Sequence, residues 1–188
     1  MFNGEKLRDI RMLNGLSRKE LASLIGISEQ AIWQYENSTI HPRIDIISEF
    51  SRFFNVDSRF FITKNTLSYK VREESIAYRN VDREQRSKTS SEAMYLEFVD
   101  DLISQMNNKF EGISGLINYI TTEVEKMRSS GATVAECASF VRGKLNVFSN
   151  KNLLLAVERA GVIVLEKVFT SNKTDAYSSW VGDTAYIV

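Results

Sequence analysis

The chain has 188 residues, 43% of them hydrophobic and 11% aromatic, with 24 basic side chains against 24 acidic ones. That length holds one domain or two small ones, and that composition excludes a disordered chain. The apolar runs fall far short of a membrane span, MFNGEKLRD carries no secretory pattern, and a single cysteine, Cys137, excludes an internal disulfide, so a cytoplasmic protein is expected.

Residues 4 to 14 predict a first helix with Leu7 and Ile10 facing a core. Ser17 followed by Glu20 is a capping box for a second helix, and Leu16 stands where it can staple onto Leu21. Leu21, Ala22 and Ile25 mark its buried face, and Gly26 ends it, because glycine accepts the left-handed conformation a tight turn requires. Ser28 caps a third helix at once, with Ile27 and Ile32 as a second staple. Two short helices joined this tightly predict a helix-turn-helix. On the third helix Ala31, Ile32 and Tyr35 point inward, leaving Glu29, Gln30, Trp33, Gln34 and Asn37 outside. A glutamine amide presents a donor and an acceptor in one plane, which matches the major-groove edge of adenine. Pro42 opens a fourth helix with Ile46, Ile47, Phe50, Phe53 and Phe54 inward. Asp57 or Ser58 caps a short fifth helix carrying Phe60 and Phe61. A domain of about sixty residues needs this much aromatic packing to stand alone.

Leu7, Arg8, Arg11, Gly15-Leu16-Ser17, Glu20-Leu21-Ala22, Gly26-Ile27-Ser28, Ile32, Tyr35-Glu36-Asn37, Pro42 and Val56 give residues 4 to about 62 a resemblance to the XRE (Cro/CI-type) repressor family. The resemblance implies a five-helix, lambda-repressor-like DNA-binding domain with residues 28 to 37 as recognition helix. It implies double-stranded operator DNA as partner, with Ser28, Glu29, Gln30, Trp33 and Gln34 reading bases. Arg18, Lys19, Asn37, Ser38 and Arg43 would hold phosphates, and Arg11 and Glu36 would form a structural ion pair. Two positions depart from the family: Ser38 stands where glycine is usual, and Trp33 is bulky for an outward site. No basic excess supports the reading, since residues up to Ile62 carry eight bases and eight acids. What remains is local, with Arg18, Lys19 and Arg43 near the ends of the two motif helices.

Residues 63 to 91 are polar, with seven basic and four acidic side chains. Ser75 to Arg79 suits a short strand, and the rest reads as a linker, either solvated or adding phosphate contacts. The expected domains are therefore 1–66, a linker at 67–90, and 91–188. The last region carries three more acids than bases. Met94, Tyr95, Phe98, Val99, Leu102 and Met106 give one helical face. Ile113, Leu116, Ile117, Ile120, Val124 and Met127 give another, ending at Gly131, while Gly112 and Gly115 suggest a bend before it. Asp100 and Asp101 read as a solvated edge. Thr133 with Glu136 boxes a third helix through Val141 to Leu145, which buries Cys137 as an inert thiol. NLLLAVERAG forms a fourth helix, and VIVLEKVF, DAYSSW and TAYIV read as strands. The expected fold is mainly α with a small β portion near the C-terminus, a five-helix domain followed by an α+β domain.

Residues 134 to 188, through VRGKLNV, NLLLAVERAGVIVLEKVF and DAYSSWVGDTAYIV, resemble the start of the ImmA/IrrE metallopeptidase family. In that family the strand at TAYIV is followed by a helix with HExxH, whose histidines bind zinc. This sequence stops at Val188 inside the apparent strand, and its one histidine, His41, lies in the other domain. No metal, no cofactor and no enzymatic activity are therefore expected. The expected function is a sequence-specific transcriptional regulator, a homodimeric repressor of a phage or other mobile element. An inducing or derepressing protein would act on its C-terminal domain. The alternatives are the N-terminal part of a DNA-directed zinc peptidase of the ImmA/IrrE family, or an antitoxin that represses its own operon.

Overall fold

A computed structural model describes residues 1–78, 86–107, 115–167 and 176–188. Arg79, Gly112, Ile113, Val168, Phe169 and Asp175, which belong to expected elements, lie outside the described residues. The chain divides into two units, Met1–Glu73 with Arg83–Leu102, and Glu74–Asp82 with Ile103–Val188.

The first unit begins with four helices, α1 (Gly4–Leu13), α2 (Arg18–Ile25), α3 (Glu29–Glu36) and α4 (Ile44–Phe54), then a 3-10 turn at Ser58–Ile62. Three of the four helices start on a side-chain cap. The Asn3 side chain accepts the N–H groups of Glu5 and Lys6. Ser17 Oγ accepts from Glu20 N at 3.1 Å while Glu20 Oε2 accepts from Ser17 N at 2.7 Å, the full capping box. Gly26, at φ 77°, returns its N–H to Ala22 O and lets Ser28 cap α3 on Ala31 N. Arg43 stands at the N-cap of α4 with no side-chain cap, and the expected opener, Pro42, is buried in the preceding turn. At Gly4 an added Cβ would lie 2.1 Å from Tyr35 O, so only glycine lets α1 meet the end of α3.

Phe2, Leu7, Ile10, Leu21, Ala22, Ile32, Phe50 and Phe61 form the core of these helices. Phe61 stacks on Phe2 at 5.8 Å and tilts against Phe50 at 6.0 Å between ring centroids. One stripe residue departs from expectation. Phe53 is 40% exposed and packs edge-on against Phe54, because it lies at the margin of the face centred on Phe50.

The unit does not end where the composition turns polar. Asn65 Nδ2 and the Tyr69 hydroxyl both donate to Asp9 Oδ2, at 2.8 and 2.6 Å. Thr66 Oγ1 donates to Asp101 Oδ2 at 2.8 Å, and Val71 N donates to Glu97 Oε1 at 2.5 Å. The stretch from Asn65 to Val71 is thus a strap between α1 and a long helix, α5 (Arg86–Asn107), rather than free linker. Ser91 Oγ adds a bond to Leu13 O at 2.7 Å. The buried face of α5 is Ala93, Met94, Leu96, Glu97 and Asp100, whereas Leu102 and Met106 are exposed. Asp100 is therefore not the solvated edge its neighbours suggest. Apolar periodicity cannot register a face whose polar members meet partners far away in sequence. The unit boundary falls inside α5, after Leu102.

The second unit holds α6 (Leu116–Ser129), α7 (Val134–Lys144), a 3-10 turn at Asn150–Asn152 and α8 (Leu153–Arg159). Its four strands are β1 (Ala77–Tyr78), β2 (Val162–Val164), β3 (Tyr177–Val181) and β4 (Thr184–Ile187), in the order β1-β3-β4-β2. β3 and β4 form an antiparallel hairpin turned at Gly182, φ 58°. β1 runs antiparallel to β3 and β2 parallel to β4. Thr133 and Glu136 make the expected capping box on α7, and Cys137 is buried. Tyr177 and Tyr186 fill the sheet's inner side, with Tyr78 at 5.8 Å from the Tyr177 ring. The fold is mainly α with a small C-terminal sheet. No described helix is long and apolar enough to cross a membrane.

Candidate nucleic-acid interface

α3 is held from one side. Ile32 is fully buried, Ala31 and Tyr35 are half-buried, and Tyr35 meets Phe50 edge-on at 6.4 Å. That leaves Ser28, Glu29, Gln30 and Trp33 exposed, the indole to 43%, with Gln34 half-buried beside them. The side chains of Glu29, Gln30, Trp33 and Gln34 make no hydrogen bond or ion pair among the described residues. Their polar groups are free for a partner. The Ser28 hydroxyl already accepts from Ala31 N at 3.1 Å and keeps its proton to donate.

The lower end of α3 carries a buried charge cluster. Arg11 Nε meets Glu36 Oε1 at 2.5 Å, and a second guanidinium nitrogen reaches Oε2 at 3.2 Å. Arg11 also donates to Leu16 O at 2.7 Å, which ties the start of the motif to α1. Arg18 Nε takes the remaining carboxylate edge at 2.7 Å. One buried carboxylate thus holds two guanidinium groups, a geometry in which each charge is both paired and hydrogen-bonded.

The residues expected on phosphates are less free than their sequence positions suggest. Arg18 is anchored on Glu36, with its side chain 39% exposed. Arg43 chelates Asp45 through Nε at 3.2 Å and a terminal nitrogen at 2.5 Å. Their mutual hydrogen bonds raise the Arg43 pKa and lower that of Asp45. Asn37 spends one amide hydrogen on Trp33 O at 2.8 Å, closing the helix end. Of this set Lys19 and Ser38 are exposed with no side-chain partner among the described residues. Ser38 adopts φ 55°, the left-handed region that glycine favours, without being glycine.

Three features escape sequence reasoning. Ile44 is 83% exposed at the start of α4, next to Arg43, with Ile40 also exposed in the preceding loop. Asp9 is fully buried, although the Leu7 and Ile10 pattern gives it no inward signal. Tyr69 is pushed up to about 12 by burial and by its bond to Asp9. His41 is exposed before Pro42, and no three His, Cys, Asp or Glu side chains among the described residues are placed to share a metal ion.

Residues 7–61 match the helix-turn-helix family. Within them α2, the turn at Gly26 and α3 form the helix-turn-helix. The chain is also similar to a protein of Pyrobaculum aerophilum named as an HTH-type transcriptional regulatory protein, with 28% identity over 127 residues. That match covers 66% of this chain and 50% of the relative, so the chain spans about half the length of the curated relative it matches.

Proposed function

We propose that the protein is a sequence-specific DNA-binding transcriptional regulator, a dimeric repressor that reads operator DNA through α3. The observation that carries this reading is the outward face of α3. Glu29, Gln30, Trp33 and Gln34 stand unpartnered on a helix whose opposite side is locked by Ile32 and the Glu36 cluster. In the major groove the first turns of such a helix lie nearest the base edges. Gln30 and Gln34, four residues apart, are separated by about 6 Å of helical rise and can address neighbouring base pairs. Trp33 offers a large apolar face suited to thymine methyls or a sugar wall. Lys19, Arg43 and the outer edge of Arg18 set register on phosphates.

One recognition helix reads only a few base pairs, so two copies on half-sites about 34 Å apart are required for specificity. Residues 1–66 supply the reading head, and the region from residue 91 dimerises and receives an inducing protein. The family resemblance supports a phage or other mobile element as the setting.

Residues 134–188, whose sequence resembles the start of the ImmA/IrrE family, contain α7, α8, β2 and the β3–β4 hairpin. We read that likeness as one of fold. Within residues 1–188 one histidine and one cysteine do not make a two-histidine zinc site, and the chain works by binding. Metal analysis of purified protein should find no stoichiometric zinc. Footprinting upstream of the protein's own gene tests the main reading: protection of two half-sites on one face of the helix supports it, and no protection at any salt refutes it.

A further inference from the structure

The second unit contains a cleft of about 500 Å³ between α6, the end of α7 and α8. Its lining is mixed, with Leu116, Val147, Phe148 and Leu155 beside the polar Asn146 and Asn152. Phe148 is 90% exposed and Leu155 47%, so two large hydrophobic side chains stand open to water around a hollow. An isolated surface leucine needs no explanation, but apolar groups converging on a concavity of this size are what a ligand site presents.

The charge of the lining is one-sided. From residue 91 onward the chain has twelve acids and nine bases, yet among the described residues no acid lines this cleft, while Lys144 and Arg159 both do. The Lys144 ammonium lies 5.4 Å from the ring centroids of Tyr119 and Phe140, neighbours that orient it without cancelling its charge. Arg159 has no ion pair among the described residues, although an arginine in an acidic region ordinarily finds one. Two cations with no ion pair among the described residues, beside exposed apolar side chains, give the cleft both positive charge and apolar surface.

We propose that this cleft binds a small amphiphilic anion, a carboxylate or phosphate head on an aromatic or alkyl body. The head sits between Lys144 and Arg159, and the body covers Phe148 and Leu155. Binding recovers the apolar area these side chains leave exposed, and the cations select against uncharged molecules of the same shape. The site stands apart from the reading of DNA by α3, and either holds without the other.

The test uses the full chain and two fluorescent probes. 1-Anilinonaphthalene-8-sulfonate has an aromatic body and an anionic head, and N-phenyl-1-naphthylamine has nearly the same body with no charge. The sulfonate should bind at one saturable site and be displaced by decanoate or decyl phosphate. The better competitor of the two identifies the head as carboxylate or phosphate. Arg159→Glu and Lys144→Gln, both at exposed side chains, should each weaken the sulfonate about tenfold. The uncharged probe should change less than about twofold, with the melting temperature unaltered. Sulfonate binding that fails to saturate, that neither competitor displaces, or that survives both substitutions overturns the proposal.

Discussion

Glu36 and Glu97 are both buried carboxylates of the first unit, and the protein holds them by different means. Glu36 lies between two guanidinium groups, Arg11 at 2.5 Å and Arg18 at 2.7 Å. Glu97 has no cation among the described residues. Its Oε1 accepts Val71 N–H from the strap at 2.5 Å, and its Oε2 is buried without a partner among the described residues. Burial pushes the Glu97 carboxyl above its ordinary range, more than the strap's N–H groups pull it down. The first arrangement locks the motif helices together. The second holds a segment in place with a group whose charge is costly, so that contact depends on pH.

Substitution at Glu36 should have the largest effect. Glu36→Ala leaves the buried Arg11 guanidinium without its carboxylate and should cost about 3–5 kcal/mol. Urea titration followed by Trp33 fluorescence in a Trp180→Phe background reads this unit by itself. A loss below about 1 kcal/mol would mean that the cluster is not what fixes α1 to α3.

Glu97→Ala should cost less, about 1–3 kcal/mol, by leaving Val71 N–H unsatisfied. Glu97→Gln separates charge from hydrogen bonding, because it keeps a carbonyl oxygen for that N–H. A carboxyl with a raised native pKa holds its proton more tightly folded than unfolded. Its contribution is fully present below the ordinary value of 4.5 and declines as pH rises through the raised native value. Glu97→Gln should therefore gain on the wild type as pH climbs through that window. Parallel melting curves for the two proteins across it would show that Glu97 is not charged at a cost.

Arg18→Ala should have the smallest effect, no more than about 1 kcal/mol, because its side chain is partly exposed and Arg11 remains on Glu36. A loss as large as that of Glu36→Ala would make Arg18 a structural residue alone and remove it from the phosphate-binding set.

What could be read in the sequence follows the range of each interaction. The capping boxes Ser17–Glu20 and Thr133–Glu136 lie three residues apart and stand as expected, as does the turn at Gly26. The Arg11–Glu36 pair spans 25 residues and came from the family pattern, not from spacing. Val71 to Glu97 and Tyr69 to Asp9 span 26 and 60 residues with no motif to announce them, so the strap reads as linker. The pairing of Ala77 with Ser178 is equally silent in a period-two pattern. On the candidate interface, helical geometry suffices to put Glu29, Gln30 and Trp33 outside. It does not reveal that Arg43 is chelated by Asp45, which depends on the rotamers of two exposed side chains.

Selection of bound duplexes from a randomised pool, run in parallel with wild type, Gln34→Ala and Arg43→Ala, tests most directly whether the outward face of α3 reads sequence. Wild type should enrich a motif of two half-sites. Gln34→Ala should lose preference at one position of each half-site, worth about 1–3 kcal/mol, with its salt dependence nearly unchanged. Arg43→Ala should weaken all sequences alike and flatten the salt slope by about one unit. No enriched motif, or two variants that both merely bind less with the wild-type preference intact, would contradict a reading head on α3.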